Sequence, residues 1–108
     1  MAKRENKFQS ELINDIKDRL PGCIVTKLDS SHIQGIPDLL VLWEDKWATL
    51  EVKRERGAKH QPNQDYYVGR MNEMSFSSFI FPENKEEVLD DLQSALQVKR
   101  TTRVSRRK

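Results

Sequence analysis

Two short apolar runs, Ile36 to Trp43 and Trp47 to Lys53, are separated only by Glu44-Asp45-Lys46. So short a polar break predicts one connection, a tight antiparallel hairpin. Strand alternation then decides which side chains leave together. Leu39, Val41 and Trp43 point one way, and Asp38, Leu40 and Leu42 the other. In the second run Trp47, Thr49, Glu51 and Lys53 share a face, with Ala48, Leu50 and Val52 opposite. Glu51 and Lys53 therefore emerge side by side, and the hairpin lays Asp38 alongside them. Two carboxylates and one ammonium converge on a single patch. Such a patch suits a hard divalent cation and a water aimed at a phosphodiester.

The remaining elements follow from spacing. Phe8, Leu12, Ile16 and Leu20, with Ile13 adjoining, mark one face of a helix that ends before Pro21-Gly22. Cys23 to Leu28 reads as a first strand, and Asp29 to Gly35 as a polar loop holding His32. Arg54 to His60 is a basic loop, and Pro62 suits an early helix position in the segment reaching about Asn72. Gln64, Val68 and Met71 share a face of that helix. Phe76 to Phe81 reads as a fourth strand ended by Pro82. Asn84, with Glu87 three residues on, resembles a capping box for a last helix whose buried stripe is Val88, Leu89, Leu92 and Leu96. The predicted order is α-β-β-β-α-β-α.

At 108 residues the expectation is one domain with a modest core. The apolar stretches are too short to span a membrane and the first residues are charged, so a cytoplasmic protein is expected. The lone Cys23 excludes an intrachain disulfide and a cysteine-based zinc cluster, and reads as a small core residue. Charge is divided unevenly. Residues 99–108 hold six of the nineteen basic side chains and no acid, leaving a body with thirteen basic against seventeen acidic residues. This divides the chain into a domain over 1–98 and a basic, flexible tail over 99–108. Lys99, Arg100, Arg103, Arg106, Arg107 and Lys108 are candidate phosphate contacts, since each neutralised phosphate releases counterion.

Taken in order, Gly35-Ile36-Pro37-Asp38-Leu39-Leu40-Val41, then Leu50-Glu51-Val52-Lys53, then Gln61-Pro62-Asn63-Gln64 resemble the PD-(D/E)XK nuclease superfamily. Within it the pattern is similar to the small stand-alone VRR-NUC nucleases and Holliday-junction resolvases of phages and microbes. Gln61 stands where that family's Ser-Pro-x-x-Gln signature has Ser. The resemblance covers roughly residues 5 to 97. It implies a restriction-endonuclease-like α/β core: a mixed four-stranded sheet flanked by helices.

Asp38 and Glu51 supply hard oxygen ligands for Mg²⁺, with Mn²⁺ as a substitute, and the Val52 carbonyl lies between the two catalytic-strand side chains. Lys53 would orient the attacking water and offset charge in the transition state. The structural alternative is a plain surface ion pair, which contributes only about 0–1 kcal/mol. The resemblance also implies a first-helix acid, for which Glu5 matches, followed by Phe8 and Leu12; Glu11, on the flank of the apolar face, is the alternative. Gln64 matches the family's glutamine, placed to hydrogen-bond the water or the scissile phosphate. Lys27, Arg54, Arg56 and Lys59 are candidate DNA contacts. His32 and His60 read as ordinary loop residues, and Trp43 and Trp47 as packing anchors.

The function these residues and the resemblance imply is a metal-dependent endodeoxyribonuclease leaving 5′-phosphate ends. Its expected substrate is branched DNA such as a Holliday junction, bound by a two-fold homodimer. The alternatives are a homing- or restriction-type endonuclease, a non-catalytic DNA-binding module of the same fold, and a structural or interaction protein that uses the acidic body. No helix-turn-helix or zinc finger is present to read bases.

Overall fold

The computed structural model describes the backbone of residues 2–97 and the side chains of residues 6–97. Its elements are α1 (Ala2–Arg19), β1 (Ile24–Lys27), β2 (Leu39–Trp43), β3 (Lys46–Val52), α2 (Gln64–Met74), β4 (Phe76–Ile80) and α3 (Lys85–Leu96). A 3₁₀ turn over Pro82–Asn84 leads into α3. The order matches the sequence reading. The sheet runs β1-β2-β3-β4. Its first two pairings are antiparallel and the third is parallel. This is the mixed four-stranded α/β sheet expected.

The hairpin closes on Glu44 and Asp45 alone, because Trp43 pairs with Lys46. Glu44 takes a left-handed φ of 57° there, the kind of backbone a two-residue hairpin demands. After α1, the Cys23 N–H donates to the Leu20 carbonyl at 3.0 Å. Pro21 and Gly22 fill the two central positions of that turn, and Gly22 at φ 89° supplies the left-handed one.

One sheet face carries the core. Leu12 and Ile16 of α1, with Leu20 just after it, meet Leu39, Val41, Ala48, Leu50, Val52 and Ile80, and Leu89, Leu92 and Leu96 of α3 complete the cluster. Burying such a side chain is worth about 1.5–3 kcal/mol. Arg19 ties the two covering helices together, donating to Asp90 at 2.6 Å and Glu86 at 2.8 Å. Helix α2 lies on the opposite face, where Thr49 Oγ1 reaches Met71 Sδ at 3.4 Å and Ser77 Oγ at 2.8 Å. Glu51 and Lys53 share the face of Thr49, so α2 covers the polar side of β3.

Several local expectations are corrected. Three strands are shorter than read: β1 lacks Cys23 and Leu28, β2 starts at Leu39, and β4 stops at Ile80, while β3 keeps its length but is shifted by one residue to Lys46–Val52. Pro62 is not helical, because α2 starts at Gln64 and Asn63 before it has φ 73°. Asn84 does precede α3, but its side chain does not cap that helix. It turns back instead, accepting from the Phe81 N–H at 2.8 Å and donating to the Phe79 carbonyl at 3.2 Å. Among the described residues no helix is long and apolar enough to cross a membrane. The division at residue 98 and the tail lie outside the described residues.

Candidate active site

At the end of β3 the pleat delivers Glu51 and Lys53 to the α2 face, both buried, at 2% and 8% exposure. Their charged atoms are 3.7 Å apart. Lys53 Nζ also donates to Gln64 Oε1 at 2.7 Å and to the Lys59 carbonyl at 3.1 Å. Gln64 Nε2 donates in turn to Glu51 Oε2 at 2.8 Å. The glutamine amide thus bridges acid and base, while its oxygen also accepts the Gln61 N–H at 2.8 Å. Such a clamp fixes three side chains with one another's hydrogen bonds.

Asp38, just before β2, accepts the Val52 N–H at 2.9 Å. In a strand a residue's N–H and C=O leave by the same edge, so the Val52 carbonyl projects to the Asp38 side. Burial pushes the Asp38 carboxyl above its ordinary range. The Val52 N–H, the Lys53 charge, a hydrogen bond with Glu51 and the Lys27 charge pull it the other way without cancelling that rise. Two carboxyl groups in contact either share a proton or take a cation between them.

The loop architecture explains why the motif needs its glycine. Gly35 has φ 91° and lies against the segment before α2. A Cβ on it would fall 2.5 Å from Asn63 Cβ and 2.9 Å from the Pro62 carbonyl. The Gly-x-Pro-Asp lead-in and the Pro-x-Gln segment are therefore in direct contact, which seats Asp38 and Gln64 on one scaffold. A further support escaped the sequence reading. His60 stacks on Phe79 with ring centroids 4.1 Å apart, and its Nδ1 lies 2.7 Å from Asp65 Oδ1. His60 sits between Lys59 and Gln61, whose backbone groups hold Lys53 and Gln64. No sequence spacing signals such a prop.

Glu51, Lys53, Arg54, Ala58, Lys59, Gln61 and Gln64 line a cleft of about 290 Å³. The structure thus brings together Asp38, Glu51, Val52, Lys53 and Gln64, with Arg54 and Lys59 on the cleft wall. Lys27 is exposed, with its charge felt at Asp38. Arg56 instead lies over the Phe81 ring, 5.3 Å from its centroid. His32 is an exposed loop residue, as read. Trp43 packs against the core and donates to the Pro21 carbonyl at 3.0 Å. Glu11 is exposed and lines a second cleft rather than joining Asp38 and Glu51. No group of three His, Cys, Asp or Glu side chains gathers among the described residues. The Glu5 side chain, and Lys99, Arg100, Arg103, Arg106, Arg107 and Lys108, lie outside them.

A solved structure described as a VRR_NUC domain superimposes on this chain with a TM-score of 0.66 and 23% identity, covering 81% of this chain and 95% of that one. The chain has the VRR-NUC fold. A Holliday junction resolvase, Hjc of Archaeoglobus fulgidus, is matched at a TM-score of 0.48 with 12% identity, over 70% of this chain and 67% of that one. That likeness is too low to assign a fold. No protein-family model matches the chain, and no curated protein does.

Proposed function

We propose that the chain is a Mg²⁺-dependent endodeoxyribonuclease that hydrolyses phosphodiesters of branched DNA, such as a four-way junction. One observation carries this reading: the Asp38 carboxyl group meets Glu51, which lines an open cleft together with the buried Lys53 ammonium. Two carboxylates against one ammonium leave a local excess of negative charge, and every donor is a hard oxygen. That set fits Mg²⁺, which binds through one or two carboxylates and keeps several waters. Asp38, Glu51 and the Val52 carbonyl would hold it, and Mn²⁺ would substitute.

When bound, the ion supplies Lewis acidity toward a phosphate oxygen and a water of lowered pKa. The protein's own groups do the rest. Lys53, fixed by Gln64 and the Lys59 carbonyl, keeps a preorganised positive charge facing the cleft, where charge develops in the transition state. Gln64 holds Glu51 and Lys53 in register and offers an amide to the water or the scissile phosphate. Glu5 would add an acid from α1. Arg54, Lys59, Lys27 and the tail at 99–108 would contact the DNA backbone, Arg56 more peripherally.

Paired cuts across a junction need two such clefts related by a two-fold axis, hence a homodimer. Ile24 and Leu42, cross-strand partners exposed at 60% and 38%, offer an apolar surface on the side of the sheet away from the core. The test is a gel comparing linear, nicked, flap and four-way substrates with Mg²⁺. Mg²⁺-dependent cutting favouring the four-way substrate is the expected result. Tight binding without cutting, unchanged by Lys53→Ala, would make the chain a binding module.

A further inference from the structure

Beside the active-site cleft lies a second one, of about 330 Å³, lined by Lys7, Phe8, Glu11, Arg54, Pro82 and Lys85. Arg54 belongs to both clefts and follows Lys53 directly in the chain. It is half-buried, yet among the described residues its guanidinium makes no hydrogen bond or ion pair. Neither does the Lys7 ammonium. Arginine is seldom withdrawn from water without an anion to meet it.

Of the other two charges of this cleft, Lys85 is matched, and the exposed Glu11 carboxylate sets one negative charge against the two remaining cations. Lys85 donates to Asp15 at 2.6 Å and feels the Glu11 charge. Lys7 and Arg54 are therefore left as two cations facing one concave surface, with Phe8 and Pro82 as its apolar wall. That combination of paired cations and an apolar flank suits a phosphate joined to a sugar.

Resting on the nuclease reading, we propose that Lys7 and Arg54 form a phosphate subsite for the nucleotide adjoining the scissile bond. Phe8 and Pro82 pack its sugar. The strand then runs from the Glu51–Lys53 cleft past Arg54 into this second cleft, and α1 becomes part of the DNA track.

Lys7 separates this claim from the catalytic one, because it lines only the second cleft. Binding of a four-way junction by the full chain is measured with Ca²⁺ replacing Mg²⁺, between about 50 and 200 mM salt. The proteins compared are the unsubstituted chain, Lys7→Gln and Lys7→Arg. One lost phosphate contact makes the log–log salt slope of Lys7→Gln shallower by about 0.9 and weakens binding about three- to ten-fold. Lys7→Arg retains both, and melting stays the same for all three because Lys7 is exposed. In Mg²⁺ the loss for Lys7→Gln falls on KM rather than kcat. An unchanged slope and affinity overturn the subsite even if the enzyme cuts DNA. A slope change in a chain that never cuts DNA supports the subsite and overturns the nuclease reading instead.

Discussion

The two faces of β3 are built to opposite rules. Toward α1 and α3 it presents Ala48, Leu50 and Val52, all fully buried among aliphatic side chains. Toward α2 it presents Thr49, Glu51 and, just beyond its end, Lys53, equally withdrawn from water but polar or charged. The first face stabilises the fold by removing apolar surface from water. The second gains little from burial, because desolvated charges recover their hydration only through exact partners. Gln64 and the Lys59 carbonyl are those partners for Glu51 and Lys53. A strand that could have been apolar on both sides keeps a costly polar side, which is the pattern of a site held for chemistry rather than stability.

The largest expected effect breaks the polar face alone. Asp38→Asn or Glu51→Gln should lower cleavage by on the order of 10³-fold or more. Asp38→Asn keeps an acceptor for the Val52 N–H while removing a desolvated charge, so its melting temperature should not fall. A variant that melts early, or cuts normally, would erase the contrast between faces.

Leu50→Ala should do the reverse. It empties space in the core and costs about 2–5 kcal/mol in denaturant unfolding, while binding-site chemistry persists in the fraction that remains folded. Gly35→Ala tests the joint between the two motif segments. The added methyl must displace Asn63 or Pro62 and take a left-handed φ, so about 1–3 kcal/mol of stability goes and kcat drops as Gln64 moves.

His60→Ala is a smaller probe. It removes the stack on Phe79, worth about 0.5–1.5 kcal/mol, and should lower kcat a few-fold by loosening the loop that holds Lys53. His60→Phe, which keeps a ring against Phe79, should restore most of that loss.

The smallest effect belongs to the core side. Cys23 packs against the core, and burial pushes its thiol up despite the nearby Lys17 charge. A raised pKa leaves less thiolate at any pH below it. Alkylation near neutral pH should therefore run slower than for an unfolded cysteine and quicken as pH rises. Equal rates before and after adding urea would contradict this.

Much of the polar face was legible in the chain itself. Alternation in residues 36–53 set the hairpin, assigned Glu51 and Lys53 to one side, and brought Asp38 beside them. Gln64 was found by its place after Pro62, though its hold on both Glu51 and Lys53 was not. What stayed hidden is carried by the backbone or by tertiary packing. The Lys59 carbonyl and Gln61 N–H leave no mark in residue identity. Asn63 adopts its left-handed φ where it meets Gly35, which moved the start of α2 past Pro62. Asn84 offered a cap signal, but the carbonyl of Phe79 and the N–H of Phe81 claimed its side chain first. His60 carries no metal spacing, and nothing local marks its role, because its partner Phe79 is distant in sequence.

The central claim is that Asp38, Glu51 and the Val52 carbonyl form a divalent-metal site beside Lys53. Crystals soaked in Mn²⁺ and measured at the manganese absorption edge test it most directly. The account predicts an anomalous peak among those oxygens, lost in Glu51→Gln. A clean map there, in a protein that still cuts DNA, would contradict it.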